Sequence, residues 1–399
     1  MFKQYFRLLC RHPRFLAFGF LATFFSSFGQ TFLLGLFTDA FRSAHSLTHG
    51  EYGAVYAAAT FVGGLLLMRV GKQLDKVSLA KFTSFTFCGI ALSALLITWS
   101  AHLAALVLGL AGLRLFGQGF MGHIAMTSMG RYFTNQRGKA VAFAGMGFPL
   151  GELLLPVVSV ALVASFNWQH TWWLFALFLV MALPLMLWLQ LAKPELDEEP
   201  ASASETSALE VVVRQRDLLR QAKFWTVLPA LLGLPFVVTA LLLNQMWLAE
   251  QHAWSVAATA SAIMIFSLSR VTVSVFAGDW IDRLGSRQFI GLNIVPVSLG
   301  TLILAGDFGV WAWWLFLGLA GVSAGINSAL SGTLWAELYG TKYLATVRAL
   351  VHAMMVFSTA LAPFIMGMLI DSGWSASAIL LVFCLILVAA WLNARRLPK

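Results

Sequence analysis

Residues 278–288 read GDWIDRLGSRQ, and residues 71–81 read GKQLDKVSLAK. Both follow long apolar runs, so a Gly-x-x-x-Asp-Lys/Arg turn recurs at an offset of 207 residues, from Gly71 to Gly278. Pro156 and Pro363 keep the same offset. A repeat of half the chain predicts two bundles of equal size related by a pseudo-two-fold axis, the arrangement of alternating-access carriers.

The runs around these turns set the class. Of the 399 residues 59% are hydrophobic and 11% charged, against about 45–50% and about 25% in a soluble domain. A water-soluble fold is excluded, and twelve helices of about 20 apolar residues would use about 240 residues. Apolar runs of that length fall near 15–38, 51–70, 82–100, 103–129, 140–164 and 172–192, then near 224–249, 257–278, 289–306, 309–336, 349–370 and 377–394. The expected fold is therefore an all-α membrane protein of twelve transmembrane helices in two pseudo-symmetric six-helix bundles, residues 1–192 and 224–399. Between them, 193–223 opens with the acidic, Ser-rich KPELDEEPASASETS and continues as LEVVVRQRDLLRQAK. The first part reads as a solvated linker; the second suits a short helix on the membrane surface or a plain tether. The first run is longer than a signal-peptide core and is read as a retained span.

The net charge of +9 would point to nucleic acid in a soluble protein, but here it reports orientation. With twelve spans, every Lys and Arg except Arg42, Arg114 and Arg270 falls on the side of the termini and the central linker. The positive-inside rule makes that side cytoplasmic, and a plasma membrane, expected to be a bacterial inner membrane, is the setting. No nucleic-acid partner is implied. Cys10, Cys88 and Cys384 are far apart, with no CxxC and no clustered His, so no disulfide framework, metal or other cofactor is suggested. No cluster of catalytic residues appears, so the chain is not read as an enzyme, and it is expected to work as a monomer.

At the two turns the chain resembles the major facilitator superfamily, over essentially its whole length. The family's loop signature is matched by Gly278, Asp282, Arg283, Gly285 and Arg287, and more loosely by Gly71, Asp75, Lys76 and Lys81, with Ser78 where a second glycine is expected. In span four, LAGLRLFGQG is similar to the family's membrane Arg followed by Gln and Gly, although Gln118 and Gly119 come one residue late. AGMGFPLGE in span five loosely resembles the antiporter motif. A carboxylate at a tight turn can approach a helix N-terminus or a cation such as Arg131 or Arg348. Such contacts would form and break as the cytoplasmic ends close and open. Asp75, Lys76, Arg131, Asp282, Arg283, Glu337 and Arg348 are the gating candidates; the alternative is that they only orient and solubilise the loops.

Charges at membrane depth bear on function. Arg114 lies about 11 residues into its span and Arg270 about 13, which at about 1.5 Å per residue is near the middle of a core about 30 Å thick. Glu152 reaches a similar depth. An Arg there costs about 2.5–3.5 kcal/mol and should face a cavity or a partner. At the repeat offset Arg114, Arg270 and Glu152 face Gly321, Gly63 and Thr359, so the charges do not belong to the repeated scaffold. Together they leave an excess positive charge that an organic anion would neutralise, and protonation of Glu152 would raise it further. That gives a route to proton symport, or to antiport if solute and proton compete. An Arg114–Glu152 ion pair bracing spans four and five is the structural alternative.

Arg270 also looks like the membrane Arg of the monocarboxylate and oxalate/formate porter branches, and RYFTNQRGKA is similar to their basic loop. Span eleven has no Lys where oxalate carriers have one, and Arg270 stands eight residues before Gly278, so a monocarboxylate is expected over a dicarboxylate. Gln30, with its neighbour Thr31, His123, Asn244, Gln245 and Asn327 lie on spans one, four, seven and ten, which line the cavity in the family. The resemblance therefore implies that they face the solute, against interhelical hydrogen bonding as the alternative. The competing functions are a drug/proton antiporter of the same superfamily, whose cationic or apolar substrates two arginines discourage, and a transporter-like sensor or membrane enzyme.

Overall fold

A computed structural model describes residues 8–99, 102–133, 136–194, 218–339 and 344–396, except the side chains of Lys72, Asp75, Gly278, Asp282, Leu284, Gly332, Ala336, Leu344, Ala345, Thr346 and Ala349. Among these residues eleven helices are long and apolar enough to cross a membrane, and Pro13–Gly29 with Thr31–His45, bent by 40°, makes the twelfth span. Span two is His49–Val70, span three Leu79–Leu96, span four Leu103–Tyr132, span five Arg137–Ser165 and span six Trp168–Gln190. Span seven is Ala222–Leu243, continued by Gln245–Gln251; spans eight to twelve are Val256–Ile281, Ser286–Ala305, Val310–Tyr339, Leu350–Asp371 and Ala376–Ala394. Every run expected from the sequence overlaps one of them.

The repeat is visible in the backbone. Ser46 and Ala253, separated by the 207-residue offset, are both left-handed at φ 53° and end the short helices Thr38–His45 and Gln245–Gln251. Two residues later Thr48 and Ser255 cap spans two and eight, each accepting from a backbone N–H three residues on. The helices starting at Leu79 and Ser286, Leu103 and Val310, and Arg137 and Leu344 keep the same spacing. Equal spacing of caps and turns is what two copies of one bundle require.

Two departures from regular helix shape the middle of the first half. Span one passes through a 3-10 turn, Ser26–Gly29, to an extended Gln30 (φ −86°, ψ 150°). Span four is π-helical over Leu113–Met121, and such a stretch absorbs an extra residue. The one-residue delay of Gln118 and Gly119 is thereby accommodated without shifting the helix ends. The two irregularities touch: a Cβ on Gly29 would overlap Leu113 O and meet Gln118 N. A glycine is required there because the backbones are already in contact.

The halves meet along spans two and eleven and spans five and eight. At the end away from the Gly-x-x-x-Asp turns they are tied together by hydrogen bonds. Asp371, ending span eleven, accepts from His49 N at 3.0 Å and Gly50 N at 2.7 Å at the start of span two. Thr38 Oγ1 donates to Leu243 O at 2.8 Å, and Gln245 Nε2 donates to Phe32 O at 3.1 Å.

Candidate functional site

Beneath that seal a cavity of about 770 Å³ lies between the halves. Arg114, Glu152, Arg270, Gln30, His123 and Asn327 all line it, as does Thr31. Towards the end bearing the turns its wall includes the exposed Ser331 and His352. The deep charges proposed from the sequence thus share one chamber.

Arg114 is 4% exposed, and its partners are neutral. Nε donates to Thr60 Oγ1 at 3.1 Å, Nη1 donates to Gly29 O at 2.9 Å, and the guanidinium carbon lies 5.1 Å from the centre of the Tyr56 ring. The ring contributes a cation–π attraction, and the Tyr56 hydroxyl is fixed by a 2.6 Å hydrogen bond with Thr31 Oγ1. Gly29 can offer its carbonyl because span one breaks at that point. Among the described residues no acceptor takes Nη2, and no carboxylate pairs with Arg114.

The expected alternative, an Arg114–Glu152 pair within the first half, is replaced by a pair between halves. Arg270 Nη2 donates to Glu152 Oε2 at 2.8 Å, with side-chain exposures of 26% and 12%. Beside it Ser267 Oγ donates to Pro149 O at 3.2 Å, also from span eight to span five. Span five brings Glu152 to span eight because these two helices form one of the contacts between halves, a relation that separation along the chain conceals.

Two nominated residues fall elsewhere. Asn244 interrupts span seven and donates to Ala240 O at 3.0 Å, while Gln245 is fully buried in the seal. Neither is on the cavity wall. His123 lines the cavity and also lies 3.1 Å from Gly71 O, where one of the turns begins. Asn327 Oδ1 is 3.5 Å from Asn293 Nδ2.

Of the gating candidates, Lys76 and Arg283 are exposed, Arg131 is near the end of span four, and Arg348 is exposed just ahead of span eleven. Glu337 accepts from Ser286 Oγ, joining the end of span ten to the start of span nine. The side chains of Asp75 and Asp282 lie outside the described residues, as does most of the 193–223 segment. Tyr56 and Thr60, which hold Arg114, were missed by sequence reasoning. Their signal was present: two polar residues four apart lie on one face of an otherwise apolar helix.

A model of the Major Facilitator Superfamily matches residues 19–246 and 236–399. Among solved structures, the chain is similar to a bacterial homologue of the human lysosomal transporter Spinster in an inward-facing, occupied conformation. The TM-score is 0.72 at 13% identity, covering 95% of each chain. It is also similar to the nucleoside transporter NupG, with TM-score 0.72 at 14% identity, over 97% of this chain and 98% of that one. No curated protein sequence matches it.

Proposed function

The chain belongs to the major facilitator superfamily, and from that premise we propose that it moves an organic anion, such as a monocarboxylate, by alternating access with proton coupling at Glu152. The supporting observation is the unequal treatment of the two arginines on the cavity wall. Glu152 engages Arg270, whereas Arg114 is held by a hydroxyl, a carbonyl and a ring, none of which cancels its charge. A buried cation without a counter-ion is costly, and an anion at Nη2 relieves that cost with a charge-assisted hydrogen bond. A cation is repelled there, and an uncharged sugar accepts a hydrogen bond without cancelling the charge.

Coupling follows from the ion pair. A proton on Glu152 removes its charge and frees Arg270, so two cationic side chains then face the cavity and hold an anion more strongly. Loss of the proton restores the pair and favours release. If solute and proton instead compete, the same groups give antiport.

Bodies 1–192 and 224–399, joined by linker 193–223, would rock about this site in a plasma membrane, with both termini cytoplasmic and one chain as the working unit. In that orientation the seal made by Asp371, Thr38 and Gln245 is external and the conformation is inward-facing. Asp75, Lys76, Arg131, Asp282, Arg283, Glu337 and Arg348 then belong to the cytoplasmic gate. The test is uptake into proteoliposomes of monocarboxylates, dicarboxylates, organic cations and sugars under imposed pH gradients. Monocarboxylate uptake that responds to the gradient is the expected result; uptake of cations alone would refute the proposal.

A further inference from the structure

Resting on the anion reading of Arg114, we infer that the solute is an amphipathic monoanion whose apolar body lies on span seven, and not a compact acid of a few carbons. Both halves mix polar and apolar lining, with Leu67 and Met126 in the first and Thr239 and Asn327 in the second. Within that wall Gln30, Thr31 and Thr60 stand in the half that carries Arg114, and span seven contributes Leu234, Val238 and Leu242, with Ile263 and Phe266 of span eight beside them. Residues 234, 238 and 242 are four apart, so they form one stripe along the helix. Eight residues at about 1.5 Å make that stripe about 12 Å long, running inward from Leu242 at the seal. Leu234 and Val238 straddle position 236, the repeat equivalent of Gly29, so the stripe passes the depth at which Arg114 is held.

Two further observations limit the head and size the body. Nε and Nη1 of Arg114 donate to Thr60 and Gly29, so Nη2 is the nitrogen with no acceptor among the described residues, and the single guanidinium charge suits one anionic group. Arg270, the other cation, is engaged by Glu152 in this structure, and once protonation of Glu152 frees it, it strengthens the hold on that same head. The volume of about 770 Å³ falls within the range of about 300–1,000 Å³ for pockets that enclose drug-sized ligands. A head on Arg114 and a chain along 234, 238 and 242 use both walls at once.

The experiment is a homologous series of linear alkanesulfonates, butane- to decanesulfonate, titrated calorimetrically against the full chain in lipid nanodiscs, with empty nanodiscs subtracted. Sulfonates stay charged at all working pH values and carry no protons. Affinity is expected to rise by up to about fourfold per methylene until the stripe is covered. Leu234→Asn and Val238→Asn should flatten that slope, and Arg114→Ala should weaken every member. Equal affinity along the series would overturn the apolar seat while leaving the anion reading standing. Absence of binding at every length, or equal binding of the matching alkyltrimethylammonium series, would overturn both.

Discussion

Arg270 donates from Nη2 to Glu152 Oε2 at 2.8 Å, joining span eight of one half to span five of the other on the wall of the central cavity. The pair is reachable from the cavity, and both partners are partly buried. Deleting one member leaves the other charge uncompensated, whereas deleting both does not. Glu152→Gln or Arg270→Gln should each lower stability by about 2 kcal/mol, at the small end for such pairs because the cavity hydrates them. The double variant should regain most of that loss. Thermal unfolding in detergent measures the cycle, and additive losses would show that the two residues do not act as a pair.

Proton coupling separates from solute binding at the same residue. Glu152→Gln fixes the side chain in a neutral form, so an imposed pH gradient should no longer drive accumulation, while exchange of labelled for unlabelled solute continues. Counterflow and gradient-driven uptake measured side by side distinguish these outcomes. Gradient-driven accumulation by the variant would move coupling to another group.

Arg114 is held by a fork as well as by charge, because Nε and Nη1 reach Thr60 and Gly29 in different directions. Lysine keeps the charge and has three donors, but its single nitrogen cannot stand at the positions of Nε and Nη1 and also present a second nitrogen to the cavity. Arg114→Lys should therefore lose solute affinity by at least about tenfold, close to Arg114→Ala, in line with about 1.5–3 kcal/mol for a charged hydrogen bond. Equilibrium binding reads this directly; full affinity in the lysine variant would reduce the site to a point charge.

The far seal depends on Asp371, whose carboxylate accepts two backbone N–H groups at the start of span two. A carboxylate at a helix N-terminus is favoured by the dipole and by unsatisfied donors. Asp371→Ala should shift the equilibrium towards opening at that end by about 2 kcal/mol. With Gln30→Cys as reporter, an impermeant maleimide applied from that side should label the cavity faster in the Asp371→Ala background. Unchanged labelling would assign the seal to the remaining contacts.

Gly29 is where span one meets the π-helical part of span four, and a methyl group there would overlap Leu113 O. Gly29→Ala should cost about 1–3 kcal/mol as an overpacked contact and displace the carbonyl that holds Arg114. Unfolding temperature and solute affinity should fall together; a fall in stability alone would uncouple the break in span one from the site.

The spans, their repeat and the depth of the charges were readable from the chain because each depends on local hydrophobicity or on spacing along the sequence. The structure adds Ser46 with Ala253 and Thr48 with Ser255 to that repeat, and places Arg114, Glu152 and Arg270 on one cavity wall. The choice of partner for Glu152 was not readable, since it depends on how spans five and eight dock. The break at Gln30 and the π-helical stretch at Arg114 arise from backbone contact between spans one and four, and no propensity in either segment announces them. Asn244 and Gln245 were placed on the right helix, but Asn244 ends its main segment and sends both residues into the seal.

The claim that Arg114 recruits an anion is tested most directly by proteoliposome uptake of a matched pair, a carboxylate and the ammonium ion of the same carbon skeleton, by the parent protein and Arg114→Ala. Uptake of the carboxylate alone, and its loss in the variant, is the expected result. Uptake of the ammonium ion, or carboxylate uptake that survives Arg114→Ala, would contradict it.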